Sequence, residues 1–126
     1  MMAKFMSDEY IAQVQSTLAA DSKWVETTKG FKTSIAFNVT DSSQSFLMTV
    51  ENGTTAFQKA EPGTAAEFSF DGTYESWCKV AKGEVDIQSA VLKGQLRFKG
   101  SLPKVIMYRD RLVRVAEVMK DVPKEF

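Results

Sequence analysis

Residues 68–77 read Phe68-Ser69-Phe70-Asp71-Gly72-Thr73-Tyr74-Glu75-Ser76-Trp77, and residues 83–100 read Gly83-Glu84-Val85-Asp86-Ile87-Gln88-Ser89-Ala90-Val91-Leu92-Lys93-Gly94-Gln95-Leu96-Arg97-Phe98-Lys99-Gly100. Phe68 and Phe70 alternate with Ser69, the period-2 pattern of a strand with one covered face. Asp71 is placed to cap a helix in which Tyr74, Trp77, Cys78 and Ala81 recur at i, i+3, i+4 and i+7, and Gly83 ends it. Asp86 is placed to cap a second short helix with Ile87, Ala90 and Val91 on one face, stopped by Gly94. Residues 95–99 return to alternation, with Leu96 and Phe98 inward, until Gly100 breaks the strand. Short strands and short helices in this order predict an α+β domain.

Upstream, Ser7 caps a helix predicted over residues 7–20, with Asp8 and Glu9 at its positive end and Tyr10, Ile11, Val14 and Leu18 at helical spacing. Strand-like runs follow at 24–28, 32–40, 44–51, 54–59 and 65–70. They are separated by Lys29-Gly30, Asp41-Ser42-Ser43, Asn52-Gly53 and Glu61-Pro62-Gly63. Asn-Gly between alternating runs is a hairpin signal. Ile35, Phe37 and Val39 share a face, as do Phe46, Met48 and Val50, while Asn38, Thr49 and Glu67 face away. Such alternation predicts an antiparallel meander, wet on one side and covered by helices on the other.

Downstream, Ser101 caps a last helix predicted to run to Lys120, with Pro103 in its first turn. At about 100° per residue, Leu102, Val105, Leu112, Val113, Ala116 and Met119 form one stripe with Arg109 in its middle, and Met107 and Val118 lie opposite. Arg109 then either snorkels to solvent, or pairs with Glu84 or Asp86, or stands as a cation at the mouth of an apolar pocket.

Composition excludes much chemistry. The 126 residues contain no histidine and one cysteine, which rules out histidine-based nucleophile pairs, histidine metal ligands, an internal disulfide and a cysteine-rich zinc site. No paired-acid motif suggests carboxylate catalysis, so no catalytic residue, metal or cofactor is expected. Cys78 reads as a buried, inert thiol. No apolar run reaches the ~20 residues of a membrane span, and the N-terminal residues do not read as a secretory signal, so a cytoplasmic setting is expected.

Net charge is zero but uneven: residues 1–71 hold five Lys/Arg against nine Asp/Glu, and residues 72–126 hold eleven against seven. Lys93, Arg97, Lys99, Lys104, Arg109, Arg111 and Arg114 form the densest basic stretch. It reads either as a solvated face or as a patch for anionic lipid headgroups. Nucleic acid is not expected, because aromatics do not interleave with the basic residues.

The ordered set of elements in residues 68–100, with the meander and helix before it and the helix after it, resembles the sterol carrier protein type 2 family over nearly the whole chain. The resemblance implies one domain over residues 1–126. Its fold would be a five-stranded, mainly antiparallel sheet with helices on one face, enclosing a hydrophobic cavity for a fatty acyl or sterol-like lipid. Two departures stand out. Asp86-Ile87 occupies the place where many members carry a proline, and the C-terminal Lys124-Glu125-Phe126 is not a peroxisomal tripeptide. The implied lining is Phe70, Trp77, Ile87, Val91, Phe98, Val105 and Leu112, with Arg109 as a candidate headgroup partner. Composition by itself favours a solid core, and only the resemblance turns the reading toward a cavity. Two other readings stay open: an interaction domain with a vestigial cavity, and an enzyme acting on a lipid.

Overall fold

The structure, a computed structural model, describes residues 3–42, 44–61 and 64–125. In chain order the elements are β1 (Ala3–Lys4), α1 (Asp8–Ala20), α2 (Ser22–Thr27), β2 (Lys32–Val39), β3 (Gln44–Glu51), β4 (Thr54–Lys59) and β5 (Phe68–Gly72). There follow α3 (Tyr74–Ala81), α4 (Ile87–Leu92), β6 (Arg97–Lys99), α5 (Leu102–Met107), α6 (Arg109–Asp121) and β7 (Lys124–Glu125). Five strands form one sheet in the order β4-β3-β2-β5-β6, antiparallel except where β5 lies parallel to β2. The expected α+β class and mainly antiparallel sheet are therefore observed.

Register follows the alternation. Ile35 stands opposite Met48 and Phe68, and Phe37 opposite Phe46 and Phe70, so one sheet face is apolar from β3 across to β5. Tyr10, Val14 and Leu18 of α1, Trp77 and Val80 of α3, and Leu112, Val115 and Met119 of α6 join that face in a single buried core. Ser7 caps α1 by accepting from Tyr10 N at 3.2 Å, as expected. The Gln15 side chain accepts from Phe57 N at 2.8 Å, so a helix satisfies part of the β4 edge that otherwise invites strand addition. A short parallel pair, β1 with β7, brings the two ends of the described chain together.

Four expectations are corrected. Residues 24–28 are not a strand, because Ser22–Thr27 is helix α2. Asp21 caps it, its Oδ1 accepting from Lys23 N and Trp24 N at 3.1 Å each, and the Trp24 indole donates to Thr55 Oγ1 at 2.8 Å. A cap and one buried anchor here outweigh the strand preference of Trp-Val-Glu-Thr-Thr. The run at 65–70 begins only at Phe68 and continues through Asp71 and Gly72, so Thr73, accepting from Ser76 N, caps α3 in place of Asp71. The strand at 95–99 shortens to Arg97–Lys99, with Leu96 buried just before it.

The long terminal helix is broken at Tyr108, whose φ −91° and ψ 9° depart from helical values. Its ring sits edge-on against Phe31 at 4.5 Å and Phe68 at 5.3 Å, a socket that holds the backbone out of phase. The break resets the helical stripe: Val115 and Val118 are buried in α6, whereas Leu102 and Met107 of α5 are exposed. Ser43, Pro62, Gly63 and Phe126, parts of two expected turns and of the C-terminal tripeptide, lie outside the described residues.

Candidate functional site

Beside edge strand β6, helices α4 and α5 fold against β5 and β6 and leave a pocket of about 210 Å³. Phe70 comes from β5 and Phe98 from β6, with Gln88, Val91 and Leu92 from α4 and Leu102, Val105 and Ile106 from α5. The two phenyl rings lie tilted against each other at 5.4 Å. Gln88 is the one polar side chain in the wall, and its Nε2 donates to Val105 O at 3.3 Å, tying α4 to α5. A wall of this kind offers dispersion and desolvation, with no acid, base or nucleophile for bond-making chemistry.

Local sequence explains how the wall is positioned. Asp86 caps α4 through Ser89 N at 2.7 Å, which fixes where Val91 and Leu92 emerge further along the helix. Gln95 N and Leu96 N both return to Ala90 O, turning the chain sharply into β6. Gly100 has φ +140°, and a Cβ there would stand 2.9 Å from Glu67 O and 2.8 Å from Phe68 Cδ1. Only glycine allows β6 to pass so close to the start of β5 and then turn into α5.

Of the eight residues named from the sequence, Phe70, Val91, Phe98 and Val105 come together in this pocket. Trp77 and Ile87 are fully buried in the adjoining core. The Trp77 indole donates to Asn38 O at 2.9 Å, and its ring meets Phe37 edge-on at 5.7 Å. Leu112 lies in a separate seam between α6 and the sheet, beside Ile35, Met48 and Tyr108, with room of about 10 Å³. Arg109 is exposed at the start of α6 and does not line the pocket. Gln88, Leu92, Leu102 and Ile106 were not anticipated as lining. Leu102 and Ile106 at i, i+4 are the legible signal, but an uninterrupted terminal helix hides it by placing Leu102 on the core stripe and leaving Ile106 off it.

Charge is gathered elsewhere. A hollow of about 550 Å³ between α2 and α6 is lined by Asp21, Lys23, Trp24, Thr27, Asp110, Arg111, Arg114 and Glu117. Its arginines are committed within the fold. Arg114 Nε donates to Asp21 Oδ2 at 2.7 Å, while Arg111 donates to Thr27 O at 3.0 Å and lies over the Phe31 ring at 4.3 Å. The Asp21 carboxyl is held below the usual carboxylate range, first by the hydrogen bond from Trp24 N and then by Arg114. Cys78 is buried, and burial pushes its thiol up, which keeps it protonated and unreactive near neutral pH. Among the described residues no group of three or more Cys, Asp or Glu is placed to hold a metal, and no helix is long and apolar enough to cross a membrane.

A family model described as the SCP-2 sterol transfer family matches residues 12–111. No curated protein matches the chain in sequence. Among solved structures, a crystal structure of sterol carrier protein 2 superposes with a TM-score of 0.83 at 16% identity, covering 94% of this chain and 99% of its own. A Thermus thermophilus protein described as possibly a sterol carrier protein gives 0.78 at 15% identity, over 99% and 93% of the two chains. An Aedes aegypti sterol carrier protein 2 in complex with palmitate gives 0.55 at 14% identity, over 85% and 94%. At these identities the solved structures speak for the fold, and the match over residues 12–111 speaks for the family.

Proposed function

The chain belongs to the SCP-2 sterol transfer family, and from that premise we propose that it binds and carries a fatty acyl or sterol-like lipid without catalysing a reaction on it. The observation that carries this reading is the pocket between α4, α5, β5 and β6, in which seven of the eight lining side chains are hydrocarbon. An apolar wall rewards burial of an alkyl chain at ~0.8 kcal/mol per methylene. A long chain thus covers the ~8 kcal/mol of a micromolar complex after the costs of binding. The palmitate-bound mosquito protein of the same fold supports an acyl ligand. The pocket wall supplies no titrating group to a reaction, which supports carriage over catalysis.

The test is a titration with a fluorescent fatty-acid analogue, alongside mass spectrometry of a solvent extract of the freshly purified protein. A saturable signal at micromolar affinity or better is expected, displaced by palmitate and weakened at least tenfold by Val91→Trp, which fills the pocket from a half-buried position. A signal that neither saturates nor yields to competition overturns the carrier reading.

A further inference from the structure

Among the described residues, the large hydrophobic side chains left exposed are Leu92, Leu102, Ile106 and Met107, at 87%, 58%, 60% and 73% of full exposure. They are not scattered. Leu92, Leu102 and Ile106 line the rim of the apolar pocket, and Met107 follows Ile106 at the end of α5. All four fall within residues 87–109, a run that contains Lys93, Arg97, Lys99, Lys104 and Arg109 and not a single Asp or Glu. Each of those five cations is exposed. Of the two flanking acids, Asp86 is engaged in capping α4 and Asp110 lines the charged hollow between α2 and α6, while on the neighbouring strand Asp71 accepts from Asn38 at 2.6 Å.

We propose that this α4–β6–α5 face is a membrane-docking surface, on which Leu92, Leu102, Ile106 and Met107 enter the interfacial layer of an anionic bilayer while Lys93 and Lys104, each within two residues of an apolar tip, pair with its headgroups. Four bulky apolar side chains held in water are a standing cost that a purely structural role leaves unexplained. Cations of one sign around apolar tips match a negative lipid surface, which attracts basic residues and accepts hydrocarbon just beneath them. A protein partner fits less well, since lysine is depleted in the cores of protein interfaces. The placement also has a consequence for cargo, and here it rests on the carrier reading above. Docked in this pose, the pocket rim faces the acyl layer, and a lipid passes between bilayer and pocket without crossing open water.

The test is co-sedimentation of the purified protein with vesicles of phosphatidylcholine alone or of phosphatidylcholine mixed with phosphatidylglycerol. Binding is expected to the mixed vesicles, with little to the neutral ones and a steep fall as salt rises. Lys93→Gln with Lys104→Gln should lower the partition coefficient by about 25-fold, roughly fivefold for each cation removed. Met107→Ser should lower it roughly fivefold by removing an inserted tip. None of these three residues lines the pocket, so all variants should bind the fluorescent fatty-acid analogue like the wild type in the absence of vesicles. Normal vesicle binding with no fatty-acid binding keeps the docking face and removes the carrier reading. Fatty-acid binding without vesicle binding does the reverse. Equal affinity for neutral and anionic vesicles overturns the proposal. So does self-association in sedimentation velocity that Met107→Ser abolishes, with no vesicle binding, because the face is then a contact between copies of this chain.

Discussion

Asp21 shows how much one carboxylate organises. It starts α2 by accepting from Lys23 N and Trp24 N, and it receives Arg114 from α6, so it ties two distant helices together. Its side chain is only 14% exposed, which shields the pair from solvent screening on that side, although Arg114 at 39% remains partly wet. Because its folded pKa is depressed, the ionised form stabilises the fold. That contribution is complete above the ordinary carboxylate value of ~4 and is lost as pH falls through the lower folded value. Asp21→Ala should therefore cost about 2 kcal/mol near neutral pH, from a lost cap and a lost charge-assisted hydrogen bond. In urea titrations taken from about pH 7 down to about pH 3, the gap between wild type and variant should narrow as the wild-type carboxylate protonates. A gap that stays constant with pH assigns the loss to packing. The sequence shows Asp21 only as one acid before a strand-like run. Its role depends on Arg114, 93 residues away, and Thr55, which anchors Trp24, is also remote in sequence.

At the scale of elements, legibility followed how local the determining interactions are. β3 and β4 appear at the residues their alternation predicted, because the Asn52-Gly53 turn fixes their register between neighbours in sequence. α4 appears between Asp86 and Gly94 for the same reason. The break at Tyr108 was not legible, because the socket that causes it is built by Phe31 and Phe68, each far away along the chain. With that break unseen, Phe70, Val91, Phe98 and Val105 were placed at the pocket and the exposed half of the rim was missed. Two glycines near the pocket separate backbone strain from close contact. Gly94, at φ +75°, has no atom within 4 Å of the position a Cβ would take, whereas Gly100 adds a carbonyl at 2.9 Å to a φ of +140°. Gly94→Ala should cost about 1 kcal/mol, and Gly100→Ala about 2–3 kcal/mol. Gly100→Ala should also weaken fatty-acid binding, because β6, which carries Phe98, runs into α5 through this residue. Denaturant midpoints measure the first comparison and ligand titration the second. Equal costs at the two sites dispose of the close-contact account.

At the scale of the whole molecule, the sheet and helices α1, α3 and α6 supply most of a single buried core, and the apolar pocket lies where α4 and α5 meet its edge. A solid core and a lined hollow draw on the same residue types, which is why composition and periodicity alone could not show that Phe70, Val91, Phe98 and Val105 leave space between them. The space itself, about 210 Å³, falls below the ~300–1,000 Å³ typical of ligand sites. Accommodating the proposed acyl chain would require a wall to yield, and α5 is the least anchored wall. It buries only Val105, runs for six residues, and is joined to its neighbours through Gly100 and the non-helical Tyr108. Segments with so few buried contacts open at low free energy, while β2 and β3, buried and paired along eight residues each, open only with global unfolding. Fatty-acid affinity is accordingly expected to keep rising with chain length beyond what the closed pocket holds, by up to ~4-fold per methylene, as α5 moves outward and then closes over the chain. Hydrogen exchange at residues 102–107 should slow when a long-chain fatty acid is bound, with exchange in β2 and β3 unchanged. Affinity that levels off at short chains, together with unaltered exchange at 102–107, shows a rigid wall and confines the cargo to what 210 Å³ admits.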